Sequence, residues 1–521
     1  MMDRTLANHL SLWGFDQGVT VFRDFSLGLA YQIQGVDISC AEESEMNAIK
    51  NGLKVFLNGL PAGLSLQFVQ EVVSGNNLTI QNHGKTLQRD AHPIIQEVTQ
   101  ERTEKLLARD LQGLLPKHNL YLILRSPFSK TFEKRSLFRK PSALTETWLN
   151  FEIERFKRDS QNILTSLETV GLKTKELADV EVFRLIYNQW NPARQTSPPE
   201  IKPSLDVRDQ ISFSDMVLGI DGFSLGKVHH RVISLKNLGE ASFASMAESL
   251  RDLPFDSRLF VSIQALDQTK ETSQLQTQRR IAYASTVGKR GVSDLDSEAK
   301  LADIESLLTE MIQGGEKVFN LSLNVVLRSD RSEELDYQVS QTLLKLRELS
   351  GCEGLEETHG AFDVFMKLSL PNGVSPERSK KVQTSVAADF LQIFAPWRGH
   401  ETPRLLLTNR EGGLLGFDPF SPELTNFNQL VSGGSGSGKS FATSLLISQM
   451  LKERPKVFIL DIGASYKRLC GALDGQYIDL GIKKSGESIN PFAIDFNADN
   501  LAEKEGLLDQ KVKFLVSMVE L

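Results

Sequence analysis

Eight consecutive residues of this chain have the types and spacing to hold a run of phosphates. Gly433, Gly434, Ser435, Gly436, Ser437, Gly438, Lys439 and Ser440 satisfy the P-loop pattern GxxxxGK[ST], and Phe441 follows them. Glycines let the backbone adopt conformations closed to other residues, so that successive N–H groups turn inward around a phosphate at the positive end of a helix. Lys439 is expected to neutralise β/γ oxygens, and the Ser440 hydroxyl to ligate Mg²⁺. The expected ligand is therefore ATP with Mg²⁺, bound by residues 433–441, with Lys439 a candidate catalytic residue. A flexible Gly/Ser linker would explain the glycines, but it has no reason to place Lys-Ser at the start of an apolar helix.

Such a loop works between a strand and a helix. Residues 427–432 read as a short strand entering it, and residues 441–451 as an amphipathic helix leaving it. Downstream, residues 456–462 (KVFILDI) read as an apolar strand ending at Asp461. In a parallel sheet the C-terminal strand ends line the nucleotide crevice, which makes Asp461 the second candidate catalytic residue. Three roles stay open for it: Mg²⁺ binding, structural or γ-phosphate-sensing work, and plain strand-end capping.

The rest of the chain supplies α+β elements. Residues 27–36 read as a strand, the apolar steps at Met46, Ile49, Leu53, Phe56 and Leu57 as a helix, and residues 64–73 as a second strand after the Pro61–Gly63 stop. A loop (74–85), a helix (89–115) and a strand (118–125) follow. The same grammar returns with a strand at 230–235, a helix at 241–250 and a strand at 259–266, so two copies of one β-α-β pattern are expected. Residues 144–177 read as helix and 191–203 as a loop. Residues 269–313 read as a long exposed helix or helical hairpin, bent near residues 288–291. A strand (318–327), a helix (333–349), a strand (361–370) and a helix (377–394) then precede a Pro-rich break at 396–403. The expected organisation is an α+β module at 1–140, a helical and linker segment at 141–227, a second α+β module at 228–395, and a P-loop domain from 396.

Composition narrows the class. Hydrophobic residues make up 40% and charged residues 24%, which excludes disordered and fibrous chains, and a length of 521 residues suggests about three domains. Lys and Arg number 59 against 66 Asp and Glu, a net charge of -7, so any nucleic-acid contact must be local. Cys40, Cys352 and Cys470 are far apart and form no CxxC pair, which points to a reducing compartment. No apolar run approaches the roughly 18 residues of a membrane-spanning helix. The run RSPFSKTFEKRSLFRK at 125–140 interleaves Phe128, Phe132 and Phe138 with basic residues. It reads first as a solvated loop, and second as a dock for an acidic partner, anionic lipid or nucleic acid. His229 and His230 sit side by side on a strand, so they face opposite ways and cannot chelate one metal.

As a set, several motifs resemble the TraC-type conjugative ATPases of type IV secretion systems. They are Asn409-Arg410 with Gly412-Gly413, Phe417-Asp418-Pro419-Phe420, Asn426-Phe427-Asn428, the P-loop with Phe441, Asp461 through Ser465-Tyr466, and Ile489-Asn490-Pro491-Phe492. The resemblance covers residues 397–521. It implies a RecA-like P-loop NTPase fold and a cytoplasmic ATPase, peripheral to the bacterial inner membrane through partners. It further implies hexamers or related assemblies, contacts with inner-membrane and coupling components, and the powering of pilus assembly and DNA or protein transfer. Ile462 departs from the Asp-Glu of a Walker B strand, and no arginine finger is recognisable. Only 82 of the 521 residues follow Lys439, whereas a RecA-like core needs about 200 residues. The expectation is an N-terminal α+β region followed by an incomplete RecA-like domain that hydrolyses ATP negligibly by itself. A hydrolysis-deficient, nucleotide-binding scaffold and a DNA translocase of the FtsK/HerA kind are the alternatives; the second would need a basic, DNA-facing surface.

Overall fold

The computed structural model describes residues 6–73, 75–126, 145–194, 199–202, 204–287, 295–370, 372–373, 378–400, 402–410, 412–479, 490, 492–493 and 501–519. The chain divides into two compact units, one of Met1–His83 with Thr103–Thr425 and one of Gly84–Arg102 with Asn426–Leu521.

In the first unit the chain makes one succession of elements twice. The first pass is β1 (Leu12–Asp16), β2 (Val19–Phe22), β3 (Leu27–Gln34), α1 (Glu43–Asn58), β4 (Ser65–Val73), α2 (Asn77–Gly84), α3 (Pro93–Leu111), β5 (Lys117–Arg125), α4 (Glu146–Glu168), β6 (Lys173–Glu176) and α5 (Asp179–Trp190). After the short α6 (Val207–Ile211) the second pass begins with β7 (Met216–Leu218), β8 (Phe223–Leu225) and β9 (Val228–Asn237). A 3₁₀ turn at Met246–Asp252 stands where α1 stood, followed by β10 (Ser257–Ala265), α7 (Gln268–Val287), α8 (Leu295–Gln313), β11 (Val318–Ser329), α9 (Ser332–Glu348), β12 (Glu353–Glu357) and α10 (Ala361–Leu368).

The strands join one sheet in the order β1-β2-β3-β5-β4-β10-β11-β9-β8-β7, with β6 beside β3 and β12 beside β9. Read from either end the succession is equivalent, and the halves meet where β4 pairs with β10. Because β3 and β4 both run antiparallel to the intervening β5, they are parallel to each other, and β9 and β10 stand likewise around β11. The expected repeat is present as a pair of parallel strands split by a third strand in each half, connected through α1 in the first half and through the 3₁₀ turn in the second. Strands from residues 1–140 and 228–395 are thus neighbours in one sheet.

Side-chain alternation explains why these strands read as continuous apolar runs. Leu120, Leu122 and Leu124 of β5 enter one core with Leu53, Phe56 and Leu57 of α1 and Ile153 of α4, while Tyr121 and Ile123 enter the other with Phe183 of α5. On β10, Leu259, Val261 and Ile263 share the first core and Phe260 the second. A strand covered by helices on both faces is apolar at most positions, with a few buried polar residues such as Gln67 of β4 and Ser262 of β10, which hydrogen-bond each other at 3.3 Å.

Several expectations are corrected. Residues 361–368 form the helix α10 and not a strand; Ala361, Phe362, Phe365 and Leu368 recur at helical steps and are buried together. The expected helix 377–394 is divided into β13 (Lys380–Gln383) and α11 (Thr384–Asp389). Its cause lies in β11, which pairs with β9 only over residues 324–329 and leaves residues 318–321 to accept β13. Tertiary pairing overrides local propensity there. The expected loop 74–85 contains α2, and the expected helix 241–250 shrinks to the 3₁₀ turn.

The second unit contains the start of α3 together with α12 (Lys439–Met450), α13 (Lys467–Ala472) and α14 (Leu501–Val519). Within it the Gln88 N–H donates to the Lys452 carbonyl at 3.2 Å, His92 lies 3.1 Å from Asp474, and Arg454 pairs with Asp90.

Candidate functional site

The P-loop is shaped by two glycines and closed by its own lysine. Gly436 and Gly438 have φ of +76° and +90°, in the left-handed region that costs an ordinary residue a Cβ clash. Gly438 is the N-cap of α12, and the Ala442 N–H donates to its carbonyl at 2.9 Å, closing the first helical turn. A Cβ on Gly433 would come within 2.6 Å of the Ser437 hydroxyl, an exposed group that can rotate away. Lys439 Nζ donates to the carbonyls of Gly433 and Gly434, each at 2.7 Å, so its ammonium sits over the loop. Ser435, Ser437, Ser440 and Phe441 are exposed.

This arrangement fits a phosphate chain with a bound cation. The loop offers a helix N-terminus, a lysine held by two exchangeable carbonyl contacts, and no carboxylate between Gly433 and Phe441 to repel an anion. The Ser440 hydroxyl is a hard oxygen donor of the kind Mg²⁺ takes. At the other end of α12, burial pushes Lys452 down to about 8, against the pull of Glu453 and with help from Arg102.

Asp461 is placed differently from the strand-end expectation. Its Oδ2 accepts the Tyr466 N–H at 2.8 Å, and the turn between them carries positive φ at Gly463 and Ala464 before α13 begins. Among the described residues, no hydrogen bond joins Asp461 to Lys439 or Ser440. Residues 427–432 and 456–462 are also not strands: they make no ladder with any described segment, and Leu430, Phe458, Leu460 and Ile462 stand exposed. A strand exists by its inter-strand bonds, which a hydropathy pattern does not show. The RecA-like sheet expected here is absent among the described residues.

The motif residues upstream of the loop build a hairpin of β14 (Leu405–Thr408) and β15 (Leu414–Phe417). The Asn409 N–H donates to the Gly413 carbonyl at 2.9 Å, and Gly412 turns the chain with φ of +85°. Asp418 accepts from Arg404 Nε at 3.0 Å and from the Phe420 N–H at 3.0 Å.

The other candidates separate. The basic segment lies outside the described residues from position 127 onward, and Arg125 itself pairs with Asp24 at 2.7 Å. His229 Nδ1 meets the Ser224 hydroxyl at 2.9 Å, while the buried His230 ring stacks on Phe223 at 4.9 Å. The described residues contain no cluster that could hold a metal through His, Cys, Asp and Glu, and no helix long and apolar enough to cross a membrane.

Together the loop and its helix define a P-loop nucleotide-binding domain, and residues 418–516 match the family model of the TraG P-loop domain. Over 82 residues, 15% of this chain, the sequence is 37% identical to Protein TraC of Escherichia coli (strain K12). The match spans 9% of that protein's length. Over this segment the chain is similar to conjugative P-loop proteins of the TraC/TraG type, which bears out the resemblance carried by the motifs.

Proposed function

We propose that the chain is an ATP-binding motor subunit of a conjugative type IV secretion system, powering pilus assembly and the transfer of DNA or protein. The observation that carries this reading is the coincidence of a formed P-loop, with Lys439 poised over its carbonyls, and the TraG-type match over residues 418–516. In this reading, Lys439 exchanges the Gly433 and Gly434 carbonyls for β/γ-phosphate oxygens, and the loop N–H groups bind the same anion. Ser440 holds Mg²⁺, which when bound neutralises charge on the transferred phosphoryl group. Asp461 acts through the turn it caps, fixing the entry to α13. The motor works as a hexamer or related assembly at the cytoplasmic face of the inner membrane, docked through channel and coupling components.

The test is conjugative transfer from donor cells in which the chromosomal or plasmid copy carries Lys439→Ala. Transfer should fall to background while the protein persists at its normal level. Transfer at the wild-type frequency would remove the motor reading.

A further inference from the structure

A cavity of about 180 Å³ opens in the first unit where the start of β5 approaches residues 396–416. Its wall includes Lys117, His118, Arg398, His400 and Asn409, and no carboxylate. His118 is 6% exposed, yet neither Nδ1 nor Nε2 has a hydrogen-bond partner among the described residues. The buried Oδ1 of Asn409 is likewise unpartnered. Native proteins rarely leave buried polar atoms unsatisfied unless something outside the chain's own atoms satisfies them.

The donors around the cavity have one sign. His400 Nδ1 accepts the Asp418 N–H at 2.9 Å, so a neutral ring carries its proton on Nε2 and is a donor there. Arg398 and Lys117 are exposed, and Arg398 makes no ion pair or side-chain hydrogen bond among the described residues. The neighbouring carboxylates are occupied: Asp110 accepts the Asn76 N–H at 2.9 Å, and Asp418 pairs with Arg404. Two imidazoles beside two fixed cations, with no acid, repel a metal ion and attract an anion.

We infer that this cavity binds a small oxyanion of the phosphate type, with Arg398 and Lys117 supplying charge and the His118 and His400 rings supplying directed hydrogen bonds. The site is separate from the P-loop, which belongs to the other compact unit. Burial, with Arg398 and Arg251 nearby, pushes His118 down to about 4, so near neutral pH its ring offers one N–H donor and one acceptor. A monoprotonated phosphate, with both acceptor oxygens and a hydroxyl, matches both sides of that ring.

The test is a calorimetric titration of inorganic phosphate into the full chain carrying Lys439→Ala, which disables the P-loop as a competing site, at an ionic strength held constant with chloride. Saturable binding at one site is expected. Arg398→Gln should weaken it about ten- to a hundredfold, the loss of one charge-assisted contact. His118→Gln should weaken it as well; because Arg398 is exposed, its variant keeps the comparison readable if the histidine variant does not fold. Glycerol 3-phosphate in place of phosphate tells an ester site from a free-anion site, and binding of either supports the inference. No saturable binding at millimolar phosphate would mean that the cavity holds only water. Equal affinity with and without Arg398→Gln would mean an adventitious ion only. Either result overturns the site.

Discussion

Lys439 shows how one side chain serves two states. Its ammonium needs acceptors without ligand, and the Gly433 and Gly434 carbonyls provide them at 2.7 Å. These contacts are exposed, so exchanging them for phosphate oxygens costs little. Gly438 is the less forgiving position, because its φ of +90° sets the angle at which α12 leaves the loop. With Ala at 438 the exposed free loop should relax out of the left-handed conformation, and restoring it on binding should cost about 1–2 kcal/mol, a roughly five- to thirtyfold loss of nucleotide affinity. The loop is exposed, so the melting temperature should hardly move; a large fall in it with unchanged affinity would contradict this assignment. The turn from the glycine run into α12 was legible from the sequence because it lies in contiguous residues, whereas the strand expected to enter it at 427–432 is not formed. The Asp461 geometry was not legible, since the choice between a strand end and a turn cap depends on whether a neighbouring strand is present.

At the scale of elements, the two-faced strands were legible and several helices were not. Strands such as β5 and β10 announce themselves through runs of closely spaced apolar residues. Residues 361–370 are also rich in apolar residues, but Asp363 and Lys367, four apart, leave the core together while Phe365 midway between them is buried, as a helix and not a strand requires. Phe362 and Phe365 both reach Trp190, at 6.3 and 5.1 Å between ring centroids, which residues three apart on a strand could not do. Phe365, 1% exposed, should therefore cost about 3–5 kcal/mol when replaced by Ala, measured by denaturant unfolding. A cost below about 1 kcal/mol, the range of surface changes, would place Phe365 outside the core. The split of 377–394 into β13 and α11 lay beyond local reading, because its cause is the unpaired half of β11.

At the scale of the whole chain, the repeat was legible as grammar and not as topology. Sequence order shows two β-α-β passages, but only pairing shows that each is split by a third strand and that the halves join through β4 and β10. At that seam Glu71 stands opposite Arg258, with Nη2 at 2.6 Å from Oε1, and Asn119 adds a bond at 3.2 Å. Burial alone would raise the Glu71 pKa; the charges of Arg258 and Arg328, with the Arg258 and Asn119 bonds, hold it below the ordinary value instead. A carboxylate depressed in the folded state gives stability that is complete above its unfolded pKa and is lost as pH falls through the folded one. Glu71→Gln should thus flatten part of the acid limb of the stability profile below about pH 4.3. Glu71→Ala should cost about 3–5 kcal/mol at neutral pH, because it leaves a buried arginine uncompensated. Equal acid limbs for wild type and Glu71→Gln, followed by thermal melts across pH, would show that the seam does not depend on this pair.

In the proposed function, residues 433–440 bind the phosphates of a nucleotide. The most direct test is a calorimetric titration of ATP into the chain with and without Mg²⁺, repeated with Lys439→Ala. One saturable, Mg²⁺-dependent site in the wild-type chain, lost in the variant while its melt is unchanged, is the predicted result. Equal ATP affinity for the two chains would contradict it.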